Sequence, residues 1–154
     1  MIQRFTFGCP LPTESVVLPV EPAAAVPYLT AEPDGSWSFS LAEDAVVYGL
    51  GEMPRGINKR GWHYVADNTD ESHHGENRLS YYGAHNFLLI DGGAGRSVFG
   101  VFVDFPGKVF YDIGYTRHDR LTFRTEEPDY DLYILTGDSP NAVCTEFRKL
   151  IGHS

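Results

Sequence analysis

Residues 67 to 78 read Asp-Asn-Thr-Asp-Glu-Ser-His-His-Gly-Glu-Asn-Arg, polar without a break. Three readings compete for this stretch. Asp70, His73, His74 and Glu76 are all acceptable metal ligands. Adjacent His side chains on an extended backbone diverge, however, and no Cys-x-x-Cys or His-x-His partner occurs elsewhere, so no metal is expected. The second reading is a pair of carboxyl groups held at fixed separation for acid and base work. The loop has the carboxylates, but spacing along a loop does not set a distance through space. The third is a solvated loop whose charges serve solubility alone. Compact domains seldom keep a polar loop of about 12 residues without a use for it, so this segment is the functional candidate.

The rest of the chain must position that loop. Residues 52 to 61 carry Arg55, Lys59 and Arg60 among turn formers, and Trp62 to Ala66 forms one short strand. Around this lapse the rhythm is that of β-structure. Trp37, Phe39 and Leu41 alternate with Ser36, Ser38 and Ser40, predicting one apolar and one wet face. Leu121, Phe123 and Thr125 alternate in the same way with Thr122, Arg124 and Glu126. From Ser97 to Phe105 one side is fully apolar and the other mixed, which places this strand mid-sheet with both faces covered. Val46 to Leu50, Phe87 to Ile90, Lys108 to Ile113 and Tyr130 to Leu135 read as further strands. Asp91-Gly92-Gly93-Ala94-Gly95 is a hairpin turn, since no helix and no Lys-Ser/Thr follows it. After residue 84 the runs recur every 10 to 12 residues, the spacing of a sandwich or barrel.

The first 35 residues hold Pro10, Pro12, Pro19, Pro22, Pro27 and Pro33, which forbid a regular helix or a central strand. Residues 1–35 therefore read as an extended arm on the body, with an edge strand from Arg4 to Phe7. Residues 36–154 read as one domain closed by a helix over 140–151. Ser139 caps that helix, Pro140 opens it and Gly152 stands just past its end. Val143, Phe147, Leu150 and Ile151 make one apolar stripe. The chain stops two residues after Gly152, which points to a boundary with something that followed. The fold class expected is all-β with a C-terminal helix.

Composition excludes several partners. The chain has 154 residues, 42% hydrophobic and 21% charged, enough for a globular core. Lys and Arg total 12 against 21 Asp and Glu, a net charge of −9, which argues against nucleic acid and against an anionic membrane surface. No apolar run approaches the roughly 20 residues of a spanning helix, and no signal peptide is visible. Cys9 and Cys144 share no motif and read as two reduced thiols, the pattern of a cytoplasmic protein.

Val47-Tyr48-Gly49-Leu50-Gly51-Glu52, followed by Arg55-Gly56-Ile57-Asn58-Lys59-Arg60-Gly61, resembles the N-terminal domain of family 31 glycoside hydrolases, the α-glucosidase family. Tyr82 to Phe87, Phe99 to Lys108, Asp112 to Arg117 and Phe147 to Gly152 continue the likeness in order, covering residues 46 to 152. The resemblance implies a galactose-mutarotase-like β-sandwich packed on a (β/α)8 barrel that carries the catalytic carboxylates. Neither catalytic block is in this chain, so hydrolysis by it alone is not expected and no residue is assigned a catalytic role. No cofactor is implied. The resemblance also gives loop 67–79 a role, reaching over the barrel mouth to contact an α-glucoside. Thr69-Asp70-Glu71 aligns with the loop's sugar-binding motif, making Asp70, Glu71 and His73 the candidate substrate-binding residues. Where relatives have Pro or a hydrophobic residue after the Asp, this chain has Glu71-Ser72-His73-His74.

Other residues have plainer readings. Arg55, Lys59 and Arg60 are expected to pair with barrel carboxylates or sit in solvent, Trp62, Tyr64, Tyr81 and Tyr82 to be core or interface. Glu52 is expected to hold a turn or a buried Arg, and His85 to satisfy backbone groups. An autonomous carbohydrate-binding module, or a mutarotase-like epimerase with a His acid and a Glu base, are the alternatives. A domain without its barrel should expose a large apolar surface and self-associate.

Overall fold

A computed structural model describes residues 1–25, 28–70, 72–73, 75–81, 83–92 and 98–152. The described residues form ten strands and one helix: β1 (Ile2–Phe7), β2 (Thr30–Ala31), β3 (Trp37–Ser40), β4 (Val46–Gly51), β5 (Trp62–Ala66), β6 (Ala84–Asp91), β7 (Val98–Asp104), β8 (Val109–Ile113), β9 (Arg120–Thr125), β10 (Tyr130–Thr136) and α1 (Pro140–Ile151). Two five-stranded antiparallel sheets result. Sheet A has the order β1-β10-β7-β6-β4, and sheet B the order β2-β3-β9-β8-β5.

The period of two decides what fills the space between them. Val47, Leu88, Ile90, Val101, Val103, Leu132 and Ile134 of sheet A meet Phe39, Tyr64, Val109, Tyr111, Ile113, Leu121 and Phe123 of sheet B. The strand expected mid-sheet is β7, lying between β10 and β6. Its second face is covered by α1, through a cluster of Leu89, Phe102, Tyr133 and Leu135 with Val143, Phe147 and Leu150. Phe147 stacks flat on Phe87 with centroids 3.9 Å apart. Gly100 lets the helix come this close, because a Cβ there would lie 2.8 Å from Val143 Cγ1. The Ser139 hydroxyl accepts the Ala142 N–H at 3.2 Å, the cap expected of it.

Two expectations need correction. The serine face of β3 is not wet: Ser36 and Ser38 are buried. The turn after β2 brings Glu32 back over this strand, where it accepts the Ser38 hydroxyl at 2.5 Å and pairs with Arg117 at 2.6 Å. Nor do Lys59 and Arg60, expected to meet barrel carboxylates or solvent, wait for an outside partner, whereas Arg55 is exposed. Lys59 is 5% exposed, and its ammonium donates to the carbonyls of Met53, Pro54, Arg55 and Gly56 at 2.8–3.4 Å. Arg60 donates to the carbonyls of Ala42, Glu43, Ala45 and His118. The Arg55 guanidinium lies 3.6 Å over the Trp62 ring. The segment crosses from β4 to β5 and closes the side of the sandwich with its own backbone acceptors.

The edge strand expected from Arg4 starts at Ile2 and pairs with β10 along its whole length. Beyond it residues 8–25 run over sheet A with one isolated bridge, Pro22 to Arg4, and are held by Val17 and Leu18 N–H groups on the Leu150 carbonyl. Cys9 and Cys144 are both free and exposed. Residues 93–97 of the hairpin turn lie outside the described residues, but β6 and β7 pair antiparallel with Asp91 opposite Val98.

The segment after β1 also covers a charged cluster. Asp104 faces Asp131 across β7 and β10, and the Thr13 hydroxyl donates to Asp104 at 2.7 Å. Arg4 donates to Asp131 at 2.9 Å, and Thr6 at 2.7 Å. Burial raises the Asp104 carboxyl above the ordinary carboxylate range, the Asp131 charge adds to this, and the Thr13 bond opposes it. A raised folded-state pKa means that ionised Asp104 costs stability near neutral pH, a cost relieved as pH falls through the folded-state value. Asp104→Asn is therefore expected to melt higher than the wild type at pH 7. The gap should narrow on acidification into the carboxylate range; a gap that widens there contradicts the assignment.

Candidate functional site

β5 ends at Ala66, opposite Val109 at the start of β8, and Val109 in turn lies opposite Thr125 at the end of β9. The chain leaves sheet B at Asp67 and enters sheet A at Ala84, opposite Gly51. The 105–108 turn between β7 and β8 makes the same crossing. Both connections, with the turn after β9, therefore crowd one end of the sandwich. Between them lies a crevice of about 380 Å3 lined by Asp67, Asn68, Asn86, Lys108 and Glu126 among others.

Backbone acceptors hold the loop from 67 to 83 in place. The Ser80 hydroxyl donates to the Asp67 carbonyl at 2.8 Å, and the Tyr81 hydroxyl to the Gly75 carbonyl at 3.1 Å. Arg78 donates from its N–H to Gly75 and from its Nε to the His73 carbonyl. The loop then returns beside β5, where the Val65 N–H donates to the Leu79 carbonyl at 3.1 Å. The crevice is ordered likewise: Lys108 N–H donates to Glu126 at 2.8 Å, and the Lys108 ammonium sits 3.6 Å from Asp67.

Of the sequence candidates, Asp70 is exposed and makes no hydrogen bond or ion pair among the described residues. His73 is exposed too, with its Nδ1 3.0 Å from the Ser72 hydroxyl. Glu71, His74 and Tyr82 lie outside the described residues. Among the described residues no three of His, Cys, Asp and Glu come together. Tyr64 is core and Trp62 carries Arg55, so neither offers a free ring. Glu52 is exposed and holds the loop end through its own N–H, bonded to the Gly83 carbonyl at 2.9 Å; it bonds no Arg among the described residues. His85 accepts the Phe87 N–H on Nδ1 at 3.3 Å, the backbone role expected.

Sequence reasoning missed Lys108, Glu126 and Asn86 as walls of the same end. They stand 18 to 40 residues apart along the chain, and only the arrangement of β6, β7, β8 and β9 assembles them. Chemically the end offers carboxylate and amide acceptors with one ammonium donor. That set suits a hydroxyl-rich ligand; among the described residues of this end no nucleophile is paired with an oriented base.

The motif that carries the family likeness lies beside this end. Gly49, Leu50 and Gly51 form a bulge where the pairing of β4 with β6 shifts register, and all three have positive φ (125°, 66° and 72°). The bulge turns Leu50 fully into the core and brings Glu52 to Gly83. Residues 20–112, more than half the chain, match the family described as the glycosyl hydrolase 31 N-terminal galactose mutarotase-like domain. The chain belongs to that family. The GH31 N-terminal domain is 28% identical over 114 residues to the alpha-xylosidase XylQ of Lactiplantibacillus pentosus, covering 74% of this chain and 14% of that protein. It is 31% identical over 117 residues to the probable maltase-glucoamylase 2 of Homo sapiens, covering 75% of this chain and 4% of that protein. The chain thus spans a small part of either relative. Among solved structures, the GH31 dextranase of Flavobacterium johnsoniae superimposes with a TM-score of 0.68 at 22% identity, over 83% of this chain and 15% of that one. The cycloalternan-degrading enzyme of Trueperella pyogenes gives 0.64 at 20% identity, over 73% and 16%. These likenesses bear out the mutarotase-like sandwich. None of the described residues of this GH31 N-terminal domain forms a (β/α)8 barrel.

Proposed function

We propose that this domain packs on the catalytic (β/α)8 barrel of an α-glucosidase-type, retaining glycoside hydrolase and lends loop 67–79 to its sugar pocket. Asp70 accepts hydrogen bonds there from neighbouring hydroxyls of an α-glucoside, flanked by Glu71 and His73. The observation that carries this reading is the exposed Asp70 carboxylate, unpartnered among the described residues at the end of an otherwise internally bonded loop. An ionised carboxylate pairs well with vicinal hydroxyl donors, and hydrogen bonds to charged groups contribute about 1.5–3 kcal/mol. Self-association through the barrel-facing surface, when the barrel is missing, belongs to the same reading.

The test is made in the full-length parent enzyme. Asp70→Ala should lower kcat/KM for its α-glucoside by about tenfold to a hundredfold, the equivalent of that bond. Asp70→Asn should recover part of the loss, because its amide oxygen still accepts. Wild-type kinetics in Asp70→Ala would remove Asp70 from the pocket.

A further inference from the structure

The two outer faces of the sandwich are dressed differently. α1 lies on sheet A, whereas no helix or strand among the described residues packs across the outer face of sheet B. That face holds a cleft of about 590 Å3, a volume within the 300–1,000 Å3 common for small-ligand sites. Register shows what lines it. Ser38, Thr122, Asp112 and His63 form one row across β3, β9, β8 and β5. Arg124, Phe110 and Val65 form the next, and Leu79 of the returning loop closes the rim. A polar strip therefore runs beside a largely apolar one.

Charge balance decides what such a cleft takes. Glu32, Asp34 and Asp112 stand against Arg117 and Arg124, with the His63 imidazole beside them. Glu32 is paired with Arg117. Asp112 is occupied by the Tyr115 and Thr116 N–H groups and the Thr116 hydroxyl. Asp34 accepts the Ser36 N–H and hydroxyl. An anionic ligand meets no excess of positive charge, and a cationic one finds each carboxylate already partnered. Three polar groups remain without a hydrogen bond or ion pair among the described residues: the Thr122 hydroxyl, the His63 imidazole and the Arg124 guanidinium, which lies 4.5 Å over the Phe110 ring. Unspent donors and acceptors beside an apolar strip suit a neutral ring with hydroxyls at its edge and C–H groups on its face.

We propose that the outer face of sheet B is a saccharide-binding site of its own, holding one or two pyranose units of a neutral oligosaccharide. The C–H face rests on Val65 and Leu79, and the hydroxyls meet Thr122, His63 and the Arg124 guanidinium that lies over the Phe110 ring. The ligand class agrees with the proposed function, but the site is separate from Asp70 and is argued from the lining of the cleft itself. Leu79 belongs to both the cleft rim and the end of the candidate loop, so occupancy of the cleft bears on that loop.

The experiment is an amide-resolved NMR titration of the 154-residue chain with maltotriose, isomaltotriose and glucose 6-phosphate. The expected result is saturating shifts at His63, Phe110, Thr122 and Arg124 with a neutral trisaccharide, at millimolar affinity. Arg124→Ala and Thr122→Val, both on the outer face, should each weaken binding about tenfold with dispersed spectra retained. Shifts confined to residues 67–79, no shifts, tighter binding of the phosphate ester, or unaltered binding by both cleft variants each overturn the proposal. The Asp70 reading stands or falls on parent-enzyme kinetics, so the two fail separately.

Discussion

Gly49→Ala should cost the domain about 3–5 kcal/mol or prevent it from folding, the largest loss we expect from a single methyl group here. Two penalties combine. At φ 125° the backbone of Gly49 is in a region that L side chains rarely enter, a strain of about 1–3 kcal/mol. A Cβ there would also lie 2.2 Å from the Phe87 carbonyl oxygen, a backbone atom in the paired strand that cannot swing aside. Steric overlap of that kind adds roughly another 1–3 kcal/mol. Gly35→Ala is the control, since Gly35 has φ 84° but nothing within 4 Å of the added carbon. It should show only the backbone strain, about 1–2 kcal/mol. Urea unfolding of both variants separates the two contributions; equal losses at 49 and 35 would mean that β4 and β6 are not locked at the bulge.

Lys59→Met should cost about 2–3 kcal/mol, although methionine keeps most of the side-chain length. Four carbonyl oxygens, of Met53, Pro54, Arg55 and Gly56, converge on the Lys59 ammonium and would lose their common donor. Buried acceptors left unmade cost more than the bond was worth, because they remain desolvated. The Lys59 N–H also holds the Val47 carbonyl at 2.7 Å, so this crossing is bonded to the free edge of β4. Lys59→Arg should not restore stability, since a planar fork cannot fill a pocket shaped for a compact ammonium. A urea midpoint equal to wild type for Lys59→Met would show that the crossing is held by other contacts.

These two sites mark the limit of what could be read from the chain. Every strand with clear alternation was legible, and so was α1 with its Ser139 cap and Gly152 stop, because these signals are local. Burial of Ser36 and Ser38 was not, since it depends on Glu32 folding back over a strand six residues away. The Lys59 cage was equally hidden: turn formers interleaved with cations look solvated unless their own carbonyls curl around one ammonium. The candidate loop stood out by its polarity, and Asp70 is as open as that polarity implied. Its neighbours Lys108 and Glu126 did not stand out, because only sheet pairing brings them to the same end.

The pairing of β1 with β10 has a consequence for how the chain is made. Ile2 lies opposite Leu135, and the N-terminal ammonium donates to the Thr136 carbonyl at 2.9 Å. Among the described strands β1 is made first, and its sheet neighbour lies in the residues of β10, which are made last. Until those emerge, β1 can only wait, and so can the segment after it that seals Asp104 and Asp131. Ordering between ends so far apart is slow, since loop closure must come before any contact is gained. Sheet B, whose strands β8 and β9 are joined by a short turn, can form earlier. Completion of sheet A is therefore a late event of synthesis, and the nascent chain spends that interval with the β10-facing edge of β1 bare.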